Sequence, residues 1–67
     1  MKVFVNKKEH EVETGTTLGQ LIESLEGIPT QGCAVAINYA VIPKANWHKV
    51  VLEENAKILI IKAVSGG

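Results

Sequence analysis

Apolar and polar residues alternate over short stretches at the start of the chain, as is typical of β-strands. Residues 2–6 are rich in β-forming side chains and predict an opening strand. Residues 6–8 are polar and predict a tight turn. Residues 9–13 predict the return strand, with Val12 as its inward residue. The chain therefore begins with a β-hairpin, which residues 14–16 end.

The next stretch carries the clearest helical signal. Four apolar residues follow the i, i+3, i+4, i+7 spacing of one helical face: Leu18, Leu21, Ile22 and Leu25. Thr17 is a suitable N-cap, and Gln20 completes a capping box. Gly27 is placed for the left-handed C′ position, and Pro29 prevents continuation. Gly19 weakens the helix relative to alanine, and we hypothesise that it lets the helix approach the sheet closely.

Short apolar runs then predict a second pair of strands. Residues 34–37 predict a buried strand with Val35 and Ile37 on one face. Residues 38–39 make a turn, because asparagine tolerates the left-handed region. Residues 41–42 pair back to the first strand of this hairpin.

The last part of the chain predicts one more strand. Pro43 suits the first position of a short helical turn that carries Trp47. Residues 50–52 are apolar, residues 53–55 form a polar turn, and residues 57–63 predict the final strand. The order β-β-α-β-β-β predicts an α+β fold, in which one helix covers one face of a mixed sheet of about five strands.

The final strand is apolar on both faces. Ile58 and Ile60 point one way, and Leu59 and Ile61 point the other. In the first strand, Phe4 is also apolar and points to the face opposite Val3 and Val5. Since one helix covers only one side of a sheet, one of these sets faces water or a partner, and an exposed apolar patch marks a protein interface. The alternation itself leaves both assignments open.

Length and charge narrow the class of protein. The 67 residues predict one domain, spanning residues 1–67. Seven basic residues balance seven acidic ones, which disfavours a nucleic-acid partner, because phosphate binding needs a basic surplus. The single cysteine excludes an internal disulfide. Neither a leader nor a long apolar span is present, so we expect a cytoplasmic protein without a membrane segment.

The chain offers little conventional catalytic chemistry. His10 and His48 lack partners at metal-ligand spacing, so we expect surface histidines. Cys33 is expected to be a small, partly buried residue and Trp47 a packing residue. Residues 53–54 are expected to form a solvated turn. These patterns contain no catalytic constellation.

The last three residues are the most distinctive feature. A buried strand leads into Ser65, Gly66 and Gly67. Glycine lacks a Cβ and orders at the highest entropic cost, so residues 63–67 predict a flexible tail whose carboxylate can enter a narrow channel. The alternative is an ordinary frayed chain end.

The element order, the opening residues 1–5 and the closing Gly66-Gly67 resemble the ubiquitin-like β-grasp fold. Within it, residues 34–38, residues 41–44 and Trp47 resemble the ThiS family, the bacterial sulfur carriers of thiazole formation in thiamine biosynthesis. The chain departs from that family where residues 55–56 replace its usual Gly-Asp turn and where residues 38–39 replace an Asn-Gly type turn.

The resemblance implies roles for both sheet faces. One set of residues would face the helix: Val3, Val5, Ile58 and Ile60. The outer patch that partners grip would consist of Phe4, Leu59 and Ile61.

The resemblance also implies a chemistry for the tail, in which the chain acts as a cosubstrate. An E1-like adenylyltransferase of the ThiF type would use ATP and magnesium to adenylate the Gly67 carboxylate. Sulfur from a cysteine desulfurase or another persulfide donor would convert it to a thiocarboxylate. A thiazole synthase of the ThiG type would then accept the sulfur. Three alternatives remain: the small subunit of molybdopterin synthase, a protein modifier joined through Gly67, and an interaction module with an inert tail.

Overall fold

The structure, a computed structural model, describes residues 1–25 and 32–62. The predicted helix-ending Gly27 and Pro29 and the predicted tail 63–67 lie outside the described residues. The elements, in chain order, are β1 (Lys2–Val5), β2 (Lys8–Glu11), α1 (Leu18–Ser24), β3 (Cys33–Ile37), β4 (Ala40–Val41), a 3₁₀ helix (Lys44–Lys49) and β5 (Lys57–Lys62).

The strands form one mixed sheet in the order β2-β1-β5-β3-β4. β1 and β5 are parallel, whereas the other neighbours are antiparallel. The last strand of the chain thus lies in the middle of the sheet, between the two hairpins. This arrangement confirms the predicted α+β fold with a five-stranded mixed sheet and one α-helix.

Helix α1 begins where the sequence predicts. The Thr17 side chain accepts a hydrogen bond from the Gln20 N–H at 3.2 Å, and the Gln20 side chain accepts one from the Thr17 N–H at 2.9 Å. This reciprocal pair is the predicted capping box. The helix ends at Ser24, because Leu25 is already extended and caps its C-terminus.

Several predicted strand limits are wrong by one or two residues. β2 runs over Lys8–Glu11 rather than 9–13, because the turn takes only two residues and Glu11 already pairs with Lys2, the first residue of β1. Val12 therefore lies beyond the strand, although it still packs against the core and donates its N–H to the Met1 carbonyl. β4 covers Ala40–Val41 rather than 41–42. Pro43 is the N-cap of the 3₁₀ helix and not its first residue.

The core lies between α1, the 3₁₀ helix and one face of the sheet. Among residues 1–25 and 32–62, it contains one cluster of buried residues: Val3, Val5, Leu18, Leu21, Ile22, Val35, Trp47, Leu52, Ala56, Ile58 and Ile60. Trp47 donates its indole N–H to the Ile42 carbonyl at 2.9 Å, so it is a packing residue, as predicted. Leu52 is held by its N–H, which donates to the Thr16 carbonyl.

Candidate functional site

The two faces of β5 differ sharply in exposure. Ile58 and Ile60 are buried in the core, whereas Leu59 is 44% exposed and Ile61 is 54% exposed. In β1, Val3 and Val5 are buried as well, and Phe4 is half-buried. The structure therefore confirms which residues face the helix, and it brings Phe4, Leu59 and Ile61 together on the open face of the sheet.

The outer patch is wider than the sequence predicts. Ala36 pairs with Leu59, and Ala34 pairs with Ile61, so the small residues of β3 lie on the same open face. Val41 pairs with Ala36 and is 71% exposed. Sequence reasoning missed these residues because the order and register of the strands decide which side chains become neighbours. The two alanines facing away from Val35 were the only available signal.

A cleft of about 440 Å³ opens at one end of this face, between the two hairpin turns. Its lining residues are Phe4, Asn6, Lys7, Tyr39, Lys57, Ile58 and Leu59. Phe4 and Leu59 make it continuous with the outer patch. Tyr39, at 86% exposure, is the most exposed large apolar side chain in the described part of the molecule.

Both turns that flank the cleft have the same construction. In the first, Asn6 and Lys7 have φ of 50° and 71°. In the second, Asn38 and Tyr39 have φ of 50° and 73°. Each turn joins its two strands with two residues, and positive φ at both central positions is the requirement of a type I′ turn.

Each turn asparagine also fastens its hairpin to β5. The side-chain oxygen of Asn6, Oδ1, accepts a hydrogen bond from the Ile60 N–H at 2.8 Å. The corresponding oxygen of Asn38 accepts the Lys57 N–H at 3.1 Å. The cleft is therefore bounded by two turns whose positions relative to β5 are fixed by hydrogen bonds.

A smaller cleft of about 90 Å³ lies on the helical side, beside Trp47 and His48. An ideal Cβ on Gly19 would stand 2.5 Å from the His48 imidazole. The hypothesis for Gly19 is therefore corrected: the close approach is to the 3₁₀ helix rather than to the sheet. His48 Nε2 also lies 3.2 Å from Glu23 Oε2.

The remaining candidate residues behave as structural groups. His48 is exposed, as predicted, whereas His10 is half-buried in β2. Cys33 is half-buried at the start of β3. Glu54 is exposed, and its carboxylate accepts the Lys2 N–H at 2.7 Å. Within residues 1–25 and 32–62, no group of three His, Cys, Asp or Glu side chains could hold a metal ion.

Comparison with known proteins assigns the family. The model of the ThiS family matches residues 2–67, which includes both terminal glycines. The chain belongs to the ThiS family.

None of the helices in the described ranges is long and apolar enough to cross a membrane.

Two curated relatives of this ThiS-family chain differ in length. The sulfur carrier protein ThiS of Escherichia coli K12 is 27% identical over 67 residues, and the match covers all of both chains. A thiazole synthase of Magnetococcus marinus is 36% identical over 67 residues. The match covers the whole of this chain but only 20% of that synthase, so the chain spans about a fifth of that relative's length.

Solved structures agree with the fold. The crystal structure of the thiamine biosynthesis protein ThiS from Geobacter metallireducens superposes with a TM-score of 0.86 over 100% of both chains, at 17% identity. An NMR structure from the same organism, also described as a thiamine biosynthesis protein, gives a TM-score of 0.75 over 100% of this chain and 88% of that one. These matches agree with the ubiquitin-like β-grasp architecture of the ThiS family.

The predicted sulfur-carrying tail directly follows strand β5 of the sheet. Ser65, Gly66 and Gly67 lie outside the described residues, but β5 ends at Lys62, which pairs with Cys33. The tail thus follows a strand that lies between β1 and β3 and whose last two residues, Ile61 and Lys62, pair with β3. Five residues follow Lys62, and they reach at most about 17 Å when fully extended.

Proposed function

We propose that this chain is a sulfur carrier for thiazole formation in thiamine biosynthesis, acting as a cosubstrate through Gly67. The observation that carries the proposal is the family match over residues 2–67, which includes the Gly66-Gly67 end. The full-length similarity to a curated sulfur carrier supports it further. The exposed outer patch beside β5 supports recognition by partner proteins.

The first step would activate a poor acyl donor. A Gly67 carboxylate oxygen attacks the α-phosphorus of ATP on an E1-like enzyme of the ThiF type, and pyrophosphate leaves with its magnesium ion. The product is an acyl adenylate, in which AMP is a good leaving group. Because Gly66 and Gly67 carry no side chains, they enter the adenylating pocket without steric conflict.

The second step would install sulfur. The terminal sulfur of a cysteine persulfide, supplied by a cysteine desulfurase or another donor, attacks the acyl carbon and displaces AMP. A thiol then attacks the donor cysteine's sulfur in the resulting acyl disulfide and forms a disulfide with it. The bond pair of the broken S–S bond stays on the acyl sulfur, which leaves a thiocarboxylate at Gly67. A thiazole synthase of the ThiG type accepts this sulfur.

The chain supplies presentation rather than catalysis in this scheme. β5 lies between β1 and β3, and Lys62 at its end pairs with Cys33, so the residue that precedes the tail is part of the sheet. Leu59 and Ile61 face outward on that strand, so a partner that grips them also positions the tail. The five residues after Lys62 then carry the acyl group into the partner's active site.

The experiment is ATP–pyrophosphate exchange by the activating enzyme of the same organism. The full chain should support exchange, and a chain lacking Gly67 should fold normally but support none. If the shortened chain supports exchange equally well, the proposal is wrong. Rescue of a thiamine auxotroph, and failure to rescue a molybdopterin-deficient strain, would distinguish the thiazole route from that of the molybdopterin synthase subunit.

A further inference from the structure

The cleft between the hairpin turns is positively charged, although the molecule as a whole is neutral. Its rim carries Lys7 and Lys57, and no carboxylate lies among its described lining residues. The whole chain has a formal net charge of zero. Among the ion pairs of the described residues, which involve Met1, Lys2 and His48, neither rim lysine takes part. The cleft is thus an apolar floor with two available cations.

The two turns place side chains on this rim at positions that favour glycine. Lys7 and Tyr39 are the second central residues of their type I′ turns, with φ of 71° and 73°. Glycine is preferred there because a Cβ is strained in the left-handed region. Tyr39 is 86% exposed, so its ring gains little from burial. Both turns therefore carry a side chain that lowers local stability and borders the cleft.

Such a combination matches the make-up of a protein recognition site. Exposed tyrosine is enriched at interfaces because its rigid ring provides contact area at a small entropic cost. The floor offers Phe4 and Leu59 to an apolar side chain. Two lysines at the rim attract carboxylates and steer their approach.

We propose that this cleft anchors an acidic segment of the thiazole synthase that accepts the sulfur. One apolar side chain of the segment rests on Phe4 and Leu59 under the Tyr39 ring, and flanking carboxylates reach Lys7 and Lys57. The choice of partner rests on the proposed function. It is favoured by the Magnetococcus marinus synthase, of which a region similar to this chain forms 20%.

The cleft lies at the start of β5, whereas the tail that would carry the sulfur leaves from the end of that strand. Lys62 lies three residues beyond Leu59 on β5, or about 10 Å along the strand. The five residues that follow reach at most about 17 Å further. In this arrangement, the segment that fills the cleft belongs to a part of the synthase surface distinct from its active site, and its contacts hold the carrier while the tail is inserted.

The first test is a pair of charge reversals measured by calorimetric binding to the full-length synthase of the same organism. Lys57→Glu should weaken binding about tenfold at low salt, and the loss should shrink at high salt because the contact is electrostatic. Lys49→Glu is the matched control, since Lys49 is exposed, ends the 3₁₀ helix and does not line the cleft. It should bind like the wild type. Equal affinities for wild type and Lys57→Glu would overturn the proposal.

The second test uses substitutions that should affect stability and binding in opposite directions. Tyr39→Gly and Lys7→Gly remove the strained side chains, so their denaturation midpoints should equal or exceed that of the wild type. Each should nevertheless weaken synthase binding about fivefold. If a variant loses stability and keeps full affinity, its side chain serves the fold and the proposal is overturned.

The wild-type chain distinguishes failure of this proposal from failure of the proposed function. A wild-type chain that acquires the thiocarboxylate but does not bind the synthase overturns the anchoring site and leaves the carrier function standing. If the wild-type chain binds the synthase and the cleft variants bind it more weakly, the anchoring site is supported. If that wild-type chain is never adenylated, the carrier function is overturned.

Discussion

The side chain of Asn6 accepts the Ile60 N–H at 2.8 Å, across 54 residues of chain. The Asn6 N–H also donates to the Ile58 carbonyl, which continues the parallel pairing of β1 with β5. A regular parallel ladder would next use the Asn6 main-chain carbonyl, but the chain turns away there with a φ of 50°. The side chain takes the place of that carbonyl, so one residue both forms the turn and extends the sheet.

This relationship predicts the effect of two substitutions at residue 6. Asn6→Gly keeps the freedom for positive φ but leaves the partly buried Ile60 N–H without an acceptor. We expect the free energy of unfolding to fall by about 1–3 kcal/mol. Asn6→Asp keeps an acceptor and should cost less. Urea denaturation measures both.

Asn38 provides the control for that prediction. Its bond to the Lys57 N–H is longer, at 3.1 Å, and exposed, so water can replace the lost acceptor. Asn38→Gly should therefore cost less than Asn6→Gly. Equal losses at the two sites would contradict the role assigned to the Asn6 side chain.

The contact between Gly19 and His48 predicts a coupling between these residues. Alanine is favoured over glycine in a helix by up to about 1 kcal/mol, but a Cβ on Gly19 would meet the imidazole at 2.5 Å. In the wild-type background, Gly19→Ala should therefore gain little or lose stability. In a His48→Ala background, it should raise the free energy of unfolding by up to about 1 kcal/mol. A double-mutant cycle measures the difference, and additive effects would show that the contact is unimportant.

Adjacent residues of β5 should separate folding from recognition. Ile60 is 6% exposed and Ile61 is 54% exposed. Ile60→Ala should cost about 2–5 kcal/mol of unfolding free energy, because it opens a cavity in the core.

Ile61→Ala removes only partly exposed surface and should cost less than about 1 kcal/mol. Its effect should appear instead as weaker association with the activating enzyme or the synthase, measured by calorimetry at a temperature where both variants are folded. Full affinity for both partners would remove Ile61 from the interface.

The sequence predicts the local features of this fold well. The capping box at Thr17 and Gln20 involves residues three apart, and the apolar face of α1 repeats within one helix. The type of each element therefore follows from neighbours in the chain. The predicted first turn is one residue too long, because Lys7 stands where the usual Asn-Gly pair has glycine. The end of β2 and the limits of β4 depend instead on which residues of β1 and β3 they pair with.

The features that depend on distant pairing are harder to predict. The alternation in β5 is apolar on both faces, so only the position of α1 decides that Leu59 faces outward. Val41 joins the outer patch through its pairing with Ala36, and Lys57 borders the cleft because β5 lies between both hairpins. These relationships depend on strand order, which no local pattern records. The resemblance to the ThiS family implies the outward face for Leu59 and Ile61, and both are exposed in the structure.

The most direct test of the carrier function is the intact mass of the chain after incubation with its activating enzyme, ATP, magnesium, a persulfide donor and a thiol. We predict that the mass rises by the difference between one sulfur and one oxygen atom, that fragmentation places the change at Gly67, and that a chain lacking Gly67 shows none. An unchanged mass with every component present, or heavier conjugates joined to lysines of other proteins, would contradict the proposed sulfur-carrier function.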